Sequence, residues 1–184
     1  GVSNYLEIPN HSSLHSTTNL TLEAWIKPCK VSGTNVIFSK IWCSGNQNSY
    51  FFSVEDGKLK WVWYNGNCGA SNGTNRYKSN SAIIQTDVWQ HVAVVHTPTG
   101  VKMYLNGAEV VANLEIGSFG NLRPSTQPIR VGTYRALSGN YGLYFSGQMD
   151  ELRIWNQSIS DSLILARFDS PLAGNEPALS GYYN

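Results

Sequence analysis

Apolar and polar residues alternate along most of the chain in short runs with a period of two, the spacing of half-buried β-strands. Leu20-Thr21-Leu22-Glu23-Ala24-Trp25-Ile26 is such a run and stops at Pro28, and Asn35 to Trp42 is a second. The sharpest local pattern is Tyr50 to Val54, then Glu55-Asp56-Gly57-Lys58, then Leu59 to Tyr64. Asp-Gly between two alternating runs predicts a hairpin with a type I′ turn, which requires two residues at positive φ. With Glu55 opposite Lys58, the pairs Val54/Leu59, Phe52/Trp61 and Tyr50/Trp63 share one face, and Ser53/Lys60 and Phe51/Val62 share the other. The first face is the core, so Trp61 and Trp63 are packing residues rather than ligand platforms.

A polar insert, Asn65 to Asn80, follows as a long loop. Trp89 to His96 and Val101 to Leu105 predict a second hairpin around Thr97-Pro98-Thr99-Gly100, and Asn106-Gly107 turns the chain into a strand over Ala108 to Val111. Pro128 to Tyr134 reads as a strand, Arg135 to Asn140 as a loop and Tyr144 to Ile154 as a long strand. One short helix is expected over Ile159 to Phe168, with Ser160 as N-cap, Leu163 and Ile164 on its apolar face and Pro171 beyond its end. Many short strands separated by turn residues predict an all-β domain: a two-sheet antiparallel β-sandwich of jelly-roll type.

At 184 residues the chain has the length of one domain with a core of its own. Thirteen Lys and Arg against twelve Asp and Glu leave a net charge of +1, without the basic footprint of a nucleic-acid binder, and no apolar run is long enough for insertion into a membrane. No basic-then-apolar leader opens the chain, and Gly1 to Pro9 already reads as a strand, so the domain is expected to be an excised unit of a longer protein. Three cysteines permit one internal disulfide. Cys43 and Cys68 flank neighbouring strands and form the candidate pair, the alternative being three buried thiols. Four Asn-x-Ser/Thr triplets, at Asn10, Asn19, Asn72 and Asn156, decide nothing in an Asn-rich chain.

Glycoside cleavage needs two carboxylates held on one face, as E-x-D-x-E on a strand provides. The acids do not offer it: Glu55-Asp56 sit at a turn, and adjacent Asp150-Glu151 on a strand point to opposite faces. His11 and His15 fall in a loop, His91 and His96 face opposite ways on one strand, and no G-x-S-x-G or H-E-x-x-H motif occurs. A sugar is held by aromatic faces for its C–H surface and by planar polar groups for its hydroxyls. The loop-borne candidates are Trp42, Tyr64, Arg76, Tyr77, Tyr134, Arg135, Asn140 and Tyr141.

Several segments resemble the laminin G-like branch of the concanavalin A-like lectin/glucanase superfamily, of bacterial surface or secreted type. They are the opening Gly1 to Pro9, Leu20-Thr21-Leu22-Glu23-Ala24-Trp25-Ile26-Lys27-Pro28, Trp89-Gln90-His91-Val92-Ala93, Met103-Tyr104-Leu105-Asn106-Gly107, and Phe145 to Asn156 with its G-x-x-D-E-x-R-I-W pattern. Each is weak alone, but in this order they span nearly the whole chain. The tail Gly174 to Asn184 is similar to the strand that precedes the opening motif, and it either begins a following repeat or completes this sandwich. The resemblance implies a structural calcium near the opening motif, with Asp150 as its best ligand and Asn4 and backbone carbonyls beside it, although Ser3-Asn4 stand where acidic relatives carry carboxylates. It also implies an extracellular, non-catalytic module that binds a glycan or cell-surface glycoconjugate. A protein-interaction or spacer domain, in contact with neighbouring domains of the same chain, is the first alternative, and a polysaccharide-degrading enzyme with an unrecognised site is the second.

Overall fold

The computed structural model describes residues 4–42, 47–66, 73–136 and 138–184. Among them fifteen strands follow in order: β1 (Leu6–Ile8), β2 (Leu20–Pro28), β3 (Thr34–Lys40), β4 (Tyr50–Glu55), β5 (Lys58–Tyr64), β6 (Thr74–Ser79), β7 (Gln90–Thr97), β8 (Gly100–Leu105), β9 (Ala108–Glu109), β10 (Ala112–Ile116), β11 (Ile129–Val131), β12 (Tyr134–Arg135), β13 (Tyr141–Gly142), β14 (Gly147–Trp155) and β15 (Leu179–Tyr183). A single turn of 3-10 helix, Ser12–Leu14, precedes β2, and one α-helix, α1 (Asp161–Arg167), precedes β15. A seven-stranded antiparallel sheet runs β1-β11-β3-β4-β5-β6-β10, a six-stranded one β15-β14-β2-β7-β8-β9, and β12 pairs with β13 outside both. The two large sheets face each other as the expected jelly-roll sandwich. Leu22, Ala24, Ile26, Val92, Val94, Met103 and Ile154 of one sheet meet Phe38, Phe52, Val54, Trp61 and Trp63 of the other in one buried cluster.

The central hairpin has the expected register, with Glu55 opposite Lys58, Phe52 opposite Trp61 and Tyr50 opposite Trp63. Asp56 at φ 50° and Gly57 at φ 76° supply the two positive dihedrals of its turn. Trp61 and Trp63 are fully buried. Ser160 accepts from the Leu163 amide as N-cap of α1, but Ile164 alone is buried on that helix and Leu163 is exposed. The tail pairs inside this sandwich, β15 lying antiparallel beside β14.

Four segments depart from the alternating pattern for identifiable reasons. The insert Asn65 to Asn80 contains β6, whose core-facing positions include polar Asn75 and Ser79. Their side chains are satisfied locally: Asn75 donates to the Trp63 carbonyl and accepts from the Ser118 amide, and Ser79 accepts from the Leu59 amide. The strand expected over Ala108 to Val111 is cut to the two residues of β9 at the edge of the six-stranded sheet, and the chain then crosses to the edge of the seven-stranded sheet as β10. The long strand expected from Tyr144 begins only at Gly147, whose φ is 149° and where a Cβ would lie 2.3 Å from the Lys27 carbonyl oxygen. Finally, β14 carries one extra residue between Asp150, opposite Trp25, and Arg153, opposite Glu23, with Glu151 at φ 50°. This bulge breaks the alternation expected at Asp150-Glu151. It sends Leu152 and Ile154 into the core and turns Arg153 and Trp155 to the other side of the sheet.

Cys29 is exposed rather than a buried thiol, and the proposed Cys43–Cys68 pair lies outside the described residues. His91 and His96 face opposite sides of β7, as their spacing requires. His96 stands in the core, where its Nδ1 accepts from the Trp61 indole N–H at 3.2 Å and its Nε2–H donates to the Gly120 carbonyl at 3.0 Å. That arrangement fixes a neutral tautomer, and burial, partly offset by the Gly120 bond, pulls the imidazole from 6.5 down to about 4. Between those values the unfolded chain binds the proton and the folded chain does not, so the stabilisation is complete above pH 6.5 and is lost as pH falls toward 4. Urea midpoints measured across this range are expected to fall for the intact chain and to flatten for His96→Gln; parallel profiles would contradict the assignment.

Candidate functional site

The two outward faces of the sandwich differ. On the six-stranded sheet, Ala93, Val95, Tyr104 and Trp155 are covered by Ile159 and by Ile164 of α1. A buried carboxylate organises this layer. Glu23 accepts from the Trp155 indole N–H at 2.6 Å and from His91 Nε2–H at 3.1 Å. Arg153, buried beside it, donates to the carbonyls of Arg167 and Ser170 and to the carboxylate of Glu151, while the Trp25 indole N–H donates to the Phe168 carbonyl. Side chains of the sheet thereby hold the end of α1 and the segment after it.

Among the described residues, the outward face of the seven-stranded sheet carries no helix. Its register places Phe51, Ser53 and Glu55 of β4 beside Val62, Lys60 and Lys58 of β5, with Thr74, Arg76 and Lys78 of β6 next in line. The charges are largely matched: Glu55 binds Lys60 and, at 2.5 Å, Lys78; Arg76 binds Glu115 at 2.8 Å; Arg130 binds Glu7 at 3.0 Å. Burial alone would raise the Glu55 carboxyl, but the hydrogen bonds from Lys60, Lys78 and Thr34 bring it down to about 2. At one end of this face Ile41, Val62 and Tyr64 form a small apolar patch against Phe51 and Tyr134.

Seven of the eight expected ligand-binding residues gather at or beside this face. Arg135 lays its guanidinium over the Trp42 ring at 4.5 Å and donates through Nε to the Gly139 carbonyl. Tyr134 tilts against Phe51 at 6.3 Å, and Tyr141 stacks on Tyr5 at 4.8 Å with the Arg130 guanidinium over its ring. Tyr64 is buried, and that burial, with Tyr134 nearby, pushes its phenol up to about 12. Arg76 is half-exposed among the paired charges. Asn140 sits in the β12–β13 connection, its amide donating to Ser138 Oγ at 3.4 Å. Tyr77 is not among them: it lies on the core side of β6, opposite Trp61 and Leu114, with its ring near Phe119. Phe51 is not among the expected binding residues, although the hairpin register already assigns it to this non-core face, which was the available signal.

The structure does not bring Asn4 and Asp150 together: a cleft bears Asn4 on its wall, and Asp150 is not among its lining residues. Asn4 lines it with Tyr5 and Gly132, and Met149 and Leu152, the residues flanking the bulge, form its far wall. Asp150 is exposed, and its Oδ1 accepts from the Glu151 amide at 2.8 Å. No group of three His, Cys, Asp or Glu side chains stands together as a metal cage among the described residues. One carboxylate, one side-chain amide and nearby carbonyls fall short of the six to eight oxygens that calcium usually takes, so these residues fit at most a weak site.

The chain belongs to the concanavalin A-like lectin/glucanases superfamily, whose laminin G family model matches residues 1–165. No curated protein matches it in sequence. Among solved structures it is similar to a Bacteroides ovatus protein provisionally described as carbohydrate binding, with a TM-score of 0.74, 17% identity, and coverage of 99% of this chain and 49% of that one. The chain thus spans about half the length of that protein. It is also similar to the CBM40 module of a Ruminococcus gnavus IT-sialidase bound to α2,3-sialyllactose (TM-score 0.62, 13% identity, 90% of this chain and 97% of that). A third likeness is domain 4 of an extracellular GH43 arabinanase from Geobacillus stearothermophilus in complex with arabinotriose (TM-score 0.55, 19% identity, 90% and 72%). At these identities the likeness is one of fold. Among the described residues no helix is long and apolar enough to cross a membrane.

Glu55 links the charges of the open face, so its loss should be measurable. Its folded value lies below the ordinary 4.5, so its stabilisation is present above pH 4.5 and disappears as pH falls toward 2. Glu55→Gln is expected to cost about 2 kcal/mol at neutral pH by leaving Lys60 and Lys78 without their carboxylate. Denaturant unfolding should also show a shallower acid limb for the variant; equal stability at pH 7 would mean that solvent already satisfies the two lysines.

Proposed function

We propose that this chain is a non-catalytic, extracellular carbohydrate-binding module of a longer protein, and that a glycan lies on the outward face of its seven-stranded sheet. The observation that carries the reading is the asymmetry of the sandwich: α1 closes one outward face, whereas among the described residues the other carries no helix and keeps Phe51, Arg76, Tyr134 and Arg135 partly exposed. Planar groups collect on that open face, with Phe51 and Tyr134 offering aromatic surface and Arg76 and Arg135 offering fixed donors. A sugar ring needs that combination of C–H contact and directed hydrogen bonds. Mostly paired charges favour a neutral or weakly charged stretch of glycan over a strongly ionic partner. Support also comes from the sialyllactose and arabinotriose bound by two modules of this fold, and the extracellular arabinanase supports the setting.

A calcium ion at Asp150, with Asn4 and carbonyls as neighbours, belongs to the proposal as a weak structural ion. Millimolar calcium should raise the melting temperature of the intact chain and leave Asp150→Asn unmoved; identical melting curves with calcium and with EDTA would remove the ion from the account. For the glycan, an array of plant, algal and animal oligosaccharides followed by titration calorimetry is the direct test. Tyr134→Ala and Arg135→Ala are expected to weaken the best ligand at least about tenfold, while Tyr77→Ala, on the core side, leaves affinity unchanged in the folded fraction. Silence across the array would favour a spacer or protein-contact role, and unaltered affinity in both open-face variants would move the site elsewhere.

A further inference from the structure

A second feature is separate from the open face. Lys40, the last residue of β3, is only 2% exposed, yet it lines a cavity of about 170 Å³ with His15, Ser16, Gln47, Ser49, Pro124, Ser125 and Thr126. The ammonium has no carboxylate partner among the described residues, whereas Lys60, Lys78 and Lys102 each have one. The ammonium donates to Asn10 Oδ1 at 3.2 Å, and the same oxygen lies 2.8 Å from His15 Nε2. A neutral amide oxygen therefore serves two donors at a place where an acid would ordinarily stand.

We propose that this cavity is a binding pocket for a carboxylate, with Lys40 as the charged anchor and Ser49 beside it in the lining. Taking an ammonium out of water without a counter-charge is costly, and an anion arriving in the cavity offsets that cost through a charge-assisted hydrogen bond. Burial draws the Lys40 ammonium from 10.5 down to about 8, so it still carries its charge at neutral pH. The wall is built for polar contact. Ser125 Oγ donates to the Gln47 carbonyl and accepts from the Gln127 amide, and Gln47 Oε1 accepts from the amide and hydroxyl of Thr126, which fixes the loop opposite Lys40. The volume admits a carboxylate and part of what bears it, so an acidic sugar and a small free acid share the required chemistry.

The pocket does not depend on the open-face reading, and its test uses other residues. Acetate, glucuronate and glucose would be titrated into the intact chain while the backbone amides of Ser49, Ser125 and Thr126 are followed by NMR. Acetate and glucuronate are expected to shift these amides, and glucose is not; tighter binding of glucuronate assigns the pocket to acidic sugars, and equal binding assigns it to free carboxylates. Lys40→Met should weaken the response at least about tenfold, the scale of one lost charge-assisted bond. Lys40→Gln serves as a second variant that keeps a polar group, with the Trp61–His96 ring signals reporting that the core remains folded. No shift with either acid, or the same affinity in both folded Lys40 variants, would overturn the proposal.

Discussion

The buried carboxylate of Glu23 is the constraint from which the functional geometry follows. It stands in the middle strand of the six-stranded sheet and holds Trp155 and His91 by direct hydrogen bonds, with Arg153 at its side. A buried acid is tolerated only when its lone pairs are taken, and removing one partner of such a group costs roughly 3–5 kcal/mol. Satisfying it draws the end of α1 and the following segment over that face through Arg153 and Trp25. With one outward face closed in this way, the proposed glycan is assigned to the other.

The two candidate binding regions show opposite electrostatics within one nearly neutral chain. On the open face, acids stand among the lysines and arginines, so a ligand there meets local ion pairs rather than an unbalanced field. At the end of β3, by contrast, Lys40 is held by an amide oxygen. A molecule combining a neutral stretch with one acidic group would use both environments, and neither environment follows from net charge.

Much of the architecture was legible in the sequence because alternation and turn chemistry agree in the central hairpin. Asp56-Gly57 sets the register, and the register then separates Trp61 and Trp63, which are core, from Phe51 and Val62, which are not. The strand β6 was hidden because Asn75 and Ser79 take inward positions and meet their needs with local hydrogen bonds rather than apolar contact. The site was legible as a set of residue types and less so as a place. Trp42, Tyr134, Arg135 and Tyr141 come together through the short β12–β13 pair, whose few residues carry too little pattern to be read as strands. Tyr77 was misplaced with the rest because its loop context concealed a strand, and Lys40 was invisible because a lysine closing an apolar run gives no sign that it is buried without an acid.

The single extra residue in β14 also marks where this strand tolerates a change of length. Glu151 and Leu152 together oppose the single Ala24, so the positions on either side of them keep the register of β2. Loss of Glu151 would restore regular pairing, with Leu152 opposite Ala24 and Arg153 and Ile154 still opposite Glu23 and Leu22, and would remove only the carboxylate that holds Arg153 and Tyr182. The bulge is thus a place where homologous chains can differ by one residue without exchanging the two faces of the sheet.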